Sequence, residues 1–358
     1  MTQRKVDLGP IEKLMEDPEV SEIMLNGPKK IFIEKSGKKI LSDVTMGSEE
    51  EVLALAQKLF GEMGKRVAKD VPYTDVCLED GTRVNAIIPP LSRFGTAITF
   101  RKFSKEITCL EDVIKNGTLT QNAADLLIAC VRGKINMIFS GGTSTGKTTL
   151  LQVLSHYFDT KERVITIEDA AELRIDKENV ISLETRTPDQ DGKGGVYIRD
   201  LIRNALRMAP DRLVIGEVRG EEAVDMFQAM ATGHSGTIGI VHGNTPKDVL
   251  ARMETMILMS GIKLPLADVR RIIASTLQVI LHMERMRDGT RKVTYITEIR
   301  GIERDDFVLN DLFKFNFEGL DDFGMVKGKM KSAIKYYPMF FQRFQQIGLL
   351  TENVFAKE

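Results

Sequence analysis

FSGGTSTGKTTLL, Phe139 to Leu151, joins the end of an apolar run to a glycine-rich loop and a helix-like start. Gly141, Gly146, Lys147 and Thr148 satisfy G-x-x-x-x-G-K-[ST], with INMIFS before them and TTLLQVLSHYF after. Small residues let backbone N–H groups turn inward around phosphates, and the helix N-terminus adds the positive end of its dipole. The segment Gly141, Gly142, Thr143, Ser144, Thr145, Gly146, Lys147, Thr148 and Thr149 is therefore read as a cradle for a nucleoside triphosphate. In it Lys147 reaches the β and γ oxygens and Thr148 ligates Mg²⁺. A strand, loop and helix in this order imply an α/β fold around them.

Outward from the loop, the chain from Gln121 alternates helices with near-continuous apolar strands: INMIFS, VITIED, VISLE, RLVIGE and GTIGIVH. Strands of that kind belong to a parallel sheet covered on both faces. The first hundred residues differ. Short strands are expected at SEIML (Ser21 to Leu25) and KIFIEK (Lys30 to Lys35), then a helix with Ser48 and Glu51 as a capping pair. Val52, Leu55, Ala56, Leu59 and Phe60 share one face of that helix. TDVCLEDGTRVNAII reads as a hairpin turning at Asp80-Gly81, and GTAITFRKF (Gly95 to Phe103) as extended chain. The division expected is an N-terminal α/β domain over 1–103, a linker over 104–120, an ATPase domain over 121–304 and a small helical appendage over 305–358.

The 358 residues suffice for two domains, and 42% apolar with 28% charged is ordinary globular composition. A net charge of −1, 6% aromatics and no Trp give neither bulk attraction for nucleic acid nor a base-stacking surface. Cys77, Cys109 and Cys130 are scattered, which suggests neither a disulfide framework nor zinc, and fits a reducing, cytoplasmic setting. The N-terminus lacks the apolar core of a secretory signal. The longest apolar runs, such as LLIACV, fall far short of the roughly 20 residues that span a bilayer, so only peripheral membrane contact is expected.

Hydrolysis needs a group to hold the Mg²⁺ shell and a group to orient or deprotonate water. RLVIGEVRG ends a strand at Gly216-Glu217, placing Glu217 beside the phosphate loop as the Mg²⁺-shell residue. VITIEDAAEL ends another with Glu168, Asp169 and Glu172, near the metal by the rule that ligands bind outside strand carboxyl ends. Acids in such places also cap helices, and the residues alone do not choose among the three. In ATGHSGTIGIVHGN, His234 and His242 bracket a strand without companions for a metal, which leaves a γ-phosphate sensor or a satisfied sheet edge. Arginines at 83 and 101, and at 203, 207, 212 and 219, offer the charged fork that neutralises a γ-phosphate. A GTPase N-K-x-D and a transporter L-S-G-G-Q are both missing, which leaves the multi-subunit ATPases.

Together, SEIMLNGPKKIFIEK, DGTRVNAIIPP, TFRKF, GGTSTGKTTLL, TIEDAAEL, DLIRNALRMAPDRLVIGEVRGEEAVDMFQAM and TGHSGTIGIVHGN resemble the type II/type IV secretion and pilus-assembly ATPases, in particular the CpaF/TadA-type branch. The resemblance implies an N-terminal α/β domain linked to a RecA-like P-loop NTPase domain. It implies an Asp box over Thr166 to Leu173 with Glu172 catalytic, Glu217 as the Walker B acid, and a His box over Gly233 to Asn244. It also implies that Arg83 and Arg101 reach the γ-phosphate, and that ATP with Mg²⁺ binds between the domains of a homo-hexamer. Such rings sit on inner-membrane platform proteins at the cytoplasmic face and drive pilus extension, retraction or secretion, with no direct nucleic-acid partner. A DNA-translocating or conjugation-associated ATPase shares the same core, and a nucleotide-gated scaffold is a third reading. Departures from the pattern are the missing threonines in IGIVHGN, Ala209 in MAPDR, and the lack of a four-cysteine module.

Overall fold

Strands with one apolar face build the first part of the chain. After a short helix α1 (Glu12–Glu16) come β1 (Val20–Asn26), β2 (Ile31–Lys35), β3 (Lys38–Leu41), helix α2 (Glu49–Glu62), β4 (Tyr73–Cys77), β5 (Arg83–Ile87) and β6 (Ala97–Arg101). They form a six-stranded antiparallel sheet in the order β3-β2-β1-β6-β5-β4. Ile23, Leu25, Val84, Ala86, Ile98 and Phe100 turn from it into one core with Val52, Leu55, Ala56, Leu59 and Phe60 of α2, the face that helical spacing marks in the sequence. The Ser48 hydroxyl accepts from the Glu51 N–H at 3.3 Å, whereas the Glu51 carboxylate accepts from Gly47 at 2.9 Å, one residue upstream of the reciprocal capping bond. Gly81 takes φ +88° in the turn between β4 and β5, a conformation that favours glycine.

This structure is a computed structural model that describes residues 7–35, 37–78, 80–102, 109–188 and 192–356. The chain divides into two units, 1–106 and 107–358. Of the expected linker, 104–108 lie outside the described residues. The remainder is not a linker in form: helix α3 (Leu110–Lys115) buries Leu110 and Val113 in the core of the second unit, and Leu119 joins them.

The second unit continues with α4 (Gln121–Arg132), β7 (Met137–Gly141), α5 (Lys147–Ser155), β8 (Val164–Glu168), β9 (Val180–Glu184), α6 (Ile198–Ala205), β10 (Arg212–Ile215) and α7 (Glu222–Ala231). Then follow β11 (Ile238–Val241), α8 (Pro246–Met259), α9 (Leu266–Thr276), β12 (Val279–Arg285), β13 (Arg291–Glu303), β14 (Asp306–Leu320), β15 (Val326–Ser332) and α10 (Phe341–Gln346). The sheet order is β15-β14-β13-β12-β7-β11-β10-β8-β9. From β12 to β9 every pair is parallel. Met137 and Phe139 of β7 point into one core with α4 and α5, and Ile138 into the other with α7 to α9, so the strand has no polar face.

The expected helical appendage is corrected by β14 and β15, which extend the sheet in antiparallel fashion and, among the described residues, leave helix only at Phe341–Gln346 and Glu352–Phe355. Phe313, Phe315 and Phe317 recur at period two, a strand signal, and β14 is hydrogen-bonded on both sides. Among the described residues no helix is long and apolar enough to cross a membrane.

Candidate active site at the carboxyl edge of the parallel strands

Parallel pairing decides which motifs meet. Because β7, β11, β10 and β8 are neighbours running the same way, the residues just past their carboxyl ends line one edge: the phosphate loop, His242, Glu217 and the Asp box. Gly141 takes φ +145° and Gly146 φ +94°, and a Cβ on Gly141 would stand 2.2 Å from the Met283 carbonyl oxygen. Only glycine fits there. The buried Lys147 begins α5, and its Nζ donates to the carbonyls of Gly141 at 3.2 Å and Gly142 at 2.5 Å. Thr148 and Thr149 follow in the first turn, and the Thr145 hydroxyl closes the loop onto Gly142 at 3.0 Å.

Glu217 is the hub of the edge. Its Oε1 lies 3.2 Å from His242 Nε2, and its Oε2 accepts from Arg219 at 2.5 Å. Arg219 stands 3.8 Å from Asp169, joining Walker B, His box and Asp box in one chain of charges. Burial resists ionisation of Glu217, but the Arg219 hydrogen bond and the charges of Arg219, His242 and Lys147 hold its carboxyl below the usual range. Burial and the nearby Lys147 charge push the His242 imidazole down, against the opposing pull of Glu217. A neutral imidazole beside an ionised carboxylate can donate from Nε2 and report the charge of a phosphate.

The remaining candidates divide. The nearly buried Glu168 carboxylate accepts from the backbone N–H groups of Glu172 and Leu173, each at 3.1 Å from Oε1, so it shapes the Asp-box turn and fixes the backbone of Glu172. His234 is corrected: it precedes β11, its carbonyl accepts from Thr237 at 2.7 Å, and the strand separates it from His242 by about 13 Å. Arg212 is buried on Glu162 at 2.7 Å, with NH1 on the Gly236 carbonyl and its guanidinium over Phe158. Arg203 pairs with Asp225 at 2.8 Å, and Arg207 donates to the Arg203 carbonyl at 3.0 Å. Arg219 is thus the arginine of that group that the structure brings to the site. In the first unit Arg83 and Arg101 stand opposite each other in the β5–β6 register, and Arg101 lies 3.7 Å from Glu22.

Sequence reading missed His282 and Arg291. His282 is buried on β12 with Nδ1 2.8 Å from the Ser140 hydroxyl, and Arg291 donates to the Ser144 carbonyl at 3.0 Å. A histidine within the apolar run VILHME carries a signal of its own, whereas no local pattern ties Arg291 to a loop nearly 150 positions earlier. Among the described residues no group of three or more His, Cys, Asp or Glu gathers as a metal site. The donors that fit Mg²⁺ are the Thr148 hydroxyl at the helix start and the ionised Glu217, a hard-oxygen set that suits an ion held chiefly by phosphate and water.

The model of the Type II/IV secretion system protein family matches residues 4–305. The chain belongs to that family. A putative conjugal transfer protein of Mycobacterium tuberculosis is 33% identical over 301 residues, covering 82% of this chain and 85% of that protein. Type IV secretion system protein PtlH of Bordetella pertussis is 29% identical over 291 residues, 75% of this chain and 86% of its own. Among solved structures, the pilus retraction motor PilT with bound ADP shares the fold at TM-score 0.58 and 20% identity, over 98% of this chain and 92% of that one. The Legionella pneumophila ATPase DotB does so at TM-score 0.57 and 20% identity, over 82% and 81%. The N-terminal α/β unit and RecA-like unit of this family are therefore the fold found here.

Proposed function

We propose that this family member is a Mg²⁺-dependent ATPase that works as a homo-hexameric motor of a pilus or secretion machine. The observation that carries the reading is the convergence of Lys147, Glu217, His242 and Arg219, from three motifs, on one sheet edge. Lys147 and the loop amides bind the phosphates. Thr148 and Glu217 would hold Mg²⁺, which supplies neutralising charge to phosphate oxygens when bound. Glu172, on a turn fixed by Glu168, is assigned to polarise the attacking water, and His242 to sense the γ-phosphate. Arg83 and Arg101 are assigned, on the resemblance, to charge neutralisation at the γ-phosphate. On the resemblance to the CpaF/TadA-type branch, the ring is assigned to the cytoplasmic face of the inner membrane, with platform proteins as its partners.

Steady-state ATPase assays on the purified, assembled chain test this. Lys147→Ala and Glu172→Gln are each expected to abolish turnover, and near-normal rates in either would remove the assigned roles. A second reading is favoured by the conjugal-transfer descriptions of several relatives: the motor serves a conjugation apparatus. It requires hydrolysis stimulated by DNA and binding that weakens steeply with salt.

A further inference from the structure

The hairpin of β12 and β13 touches the phosphate loop along its length. Ser140, the residue before the loop's first glycine, meets His282 at 2.8 Å and the Leu281 carbonyl at 3.2 Å. The Met283 carbonyl closes on Gly141, and β12 pairs with β7 through Met283 opposite Gly141. At Gly146 a Cβ would stand 3.2 Å from Arg291 Cδ and 3.5 Å from Met283 Cε. Arg291, the first residue of β13, donates from Nε to the carbonyl of Ser144 at 3.0 Å. Ser144 is the loop's one non-glycine residue at positive φ, +59°. An L-residue stays in that region only where its surroundings enforce it.

We propose that Arg291 is a positioning residue that holds the apex of the phosphate loop in its nucleotide-binding shape, with the β12–β13 hairpin as the clamp. The inference rests on the nucleotide reading of the loop. A loop that must find its shape before binding captures ligand with an affinity reduced by the fraction of time it is competent. Without the Arg291 bond to Ser144, a competent fraction of about one tenth weakens capture about tenfold. Once bound, the phosphates hold the loop themselves, so the loss falls on KM more than on kcat. The hairpin also links the loop to the antiparallel strands β14 and β15, giving loop geometry a path to the far edge of the sheet.

The test is titration of the full chain with a fluorescent N-methylanthraniloyl ATP and Mg²⁺, alongside steady-state hydrolysis and thermal melting. Arg291 is exposed, so its variants are expected to melt with the parent. Arg291→Ala is expected to bind about tenfold more weakly and to raise KM by a similar factor, while kcat falls by less than about threefold. Arg291→Gln keeps an N–H donor without the charge and is expected within about threefold of the parent. Parental affinity in Arg291→Ala would overturn the proposal. So would equal weakening by Gln and Ala, which would make the guanidinium a direct charge on the nucleotide. Lys147→Ala serves as reference: undiminished binding there would overturn the nucleotide reading itself, independently of what Arg291 does.

Discussion

At its amino end β10 begins with Arg212, fully buried and bonded to Glu162 at 2.7 and 3.1 Å; just past its carboxyl end Glu217 meets Arg219 and His242. Both are carboxylate–arginine pairs, one at each end of the same strand. At the amino end four of the five guanidinium N–H groups are used, two on Glu162 and two on the carbonyls of Gly236 and Val131, with the ring of Phe158 on the guanidinium face. At the carboxyl end Arg219 is 60% exposed and Glu217 21%, so their polar atoms remain within reach of water. A closed pair holds strands together, whereas an open one keeps ionised groups available to a ligand. Ligand chemistry collects at the carboxyl edge because the parallel strands release their loops and helix N-termini there.

The strongest way to break this contrast is to remove one partner at each end. Arg212→Ala leaves the buried Glu162 with only Lys134, 3.6 Å from its Oε1, and the expected stability loss lies toward the lower end of about 3–5 kcal/mol, read by denaturant unfolding. A loss near zero would mean that the amino-end pair is not structural. Glu217→Gln is expected to lower turnover about a hundredfold or more, about 2.7 kcal/mol in barrier, while unfolding stability moves little. If stability fell as far as in Arg212→Ala, the two ends would be alike after all.

A smaller effect separates the histidines. His242→Ala is expected to lower turnover about tenfold and His234→Ala to stay within about twofold, because β11 holds them at opposite edges of the sheet. Equal losses would contradict the placement. The smallest effect is in pH. His242 is held below its ordinary 6.5 chiefly by burial and the Lys147 charge, so folding favours the neutral ring. Its contribution is complete above pH 6.5 and is lost as pH falls through the depressed folded value. Glu217, also depressed, adds a loss of the same sign in a lower window, below about 4.5. Melting temperature against pH should therefore fall less steeply below 6.5 in His242→Gln than in the parent; identical slopes would remove His242 from the linkage.

What the sequence determined by itself was local: the strand–loop–helix at Phe139 to Leu151, the Ser48 cap with its apolar helix face, the turn at Gly81, and the apolar parallel strands. Each depends on residues a few positions apart, where spacing, backbone conformation and burial are written side by side. Tertiary structure alone decided that Glu217 faces His242, that Glu168 turns inward to the backbone of Glu172, that Arg212 closes on Glu162, and that β13 reaches back to the phosphate loop. Those pairings follow from strand order, and order is set by how two cores cover the sheet, which no local spacing in the chain records.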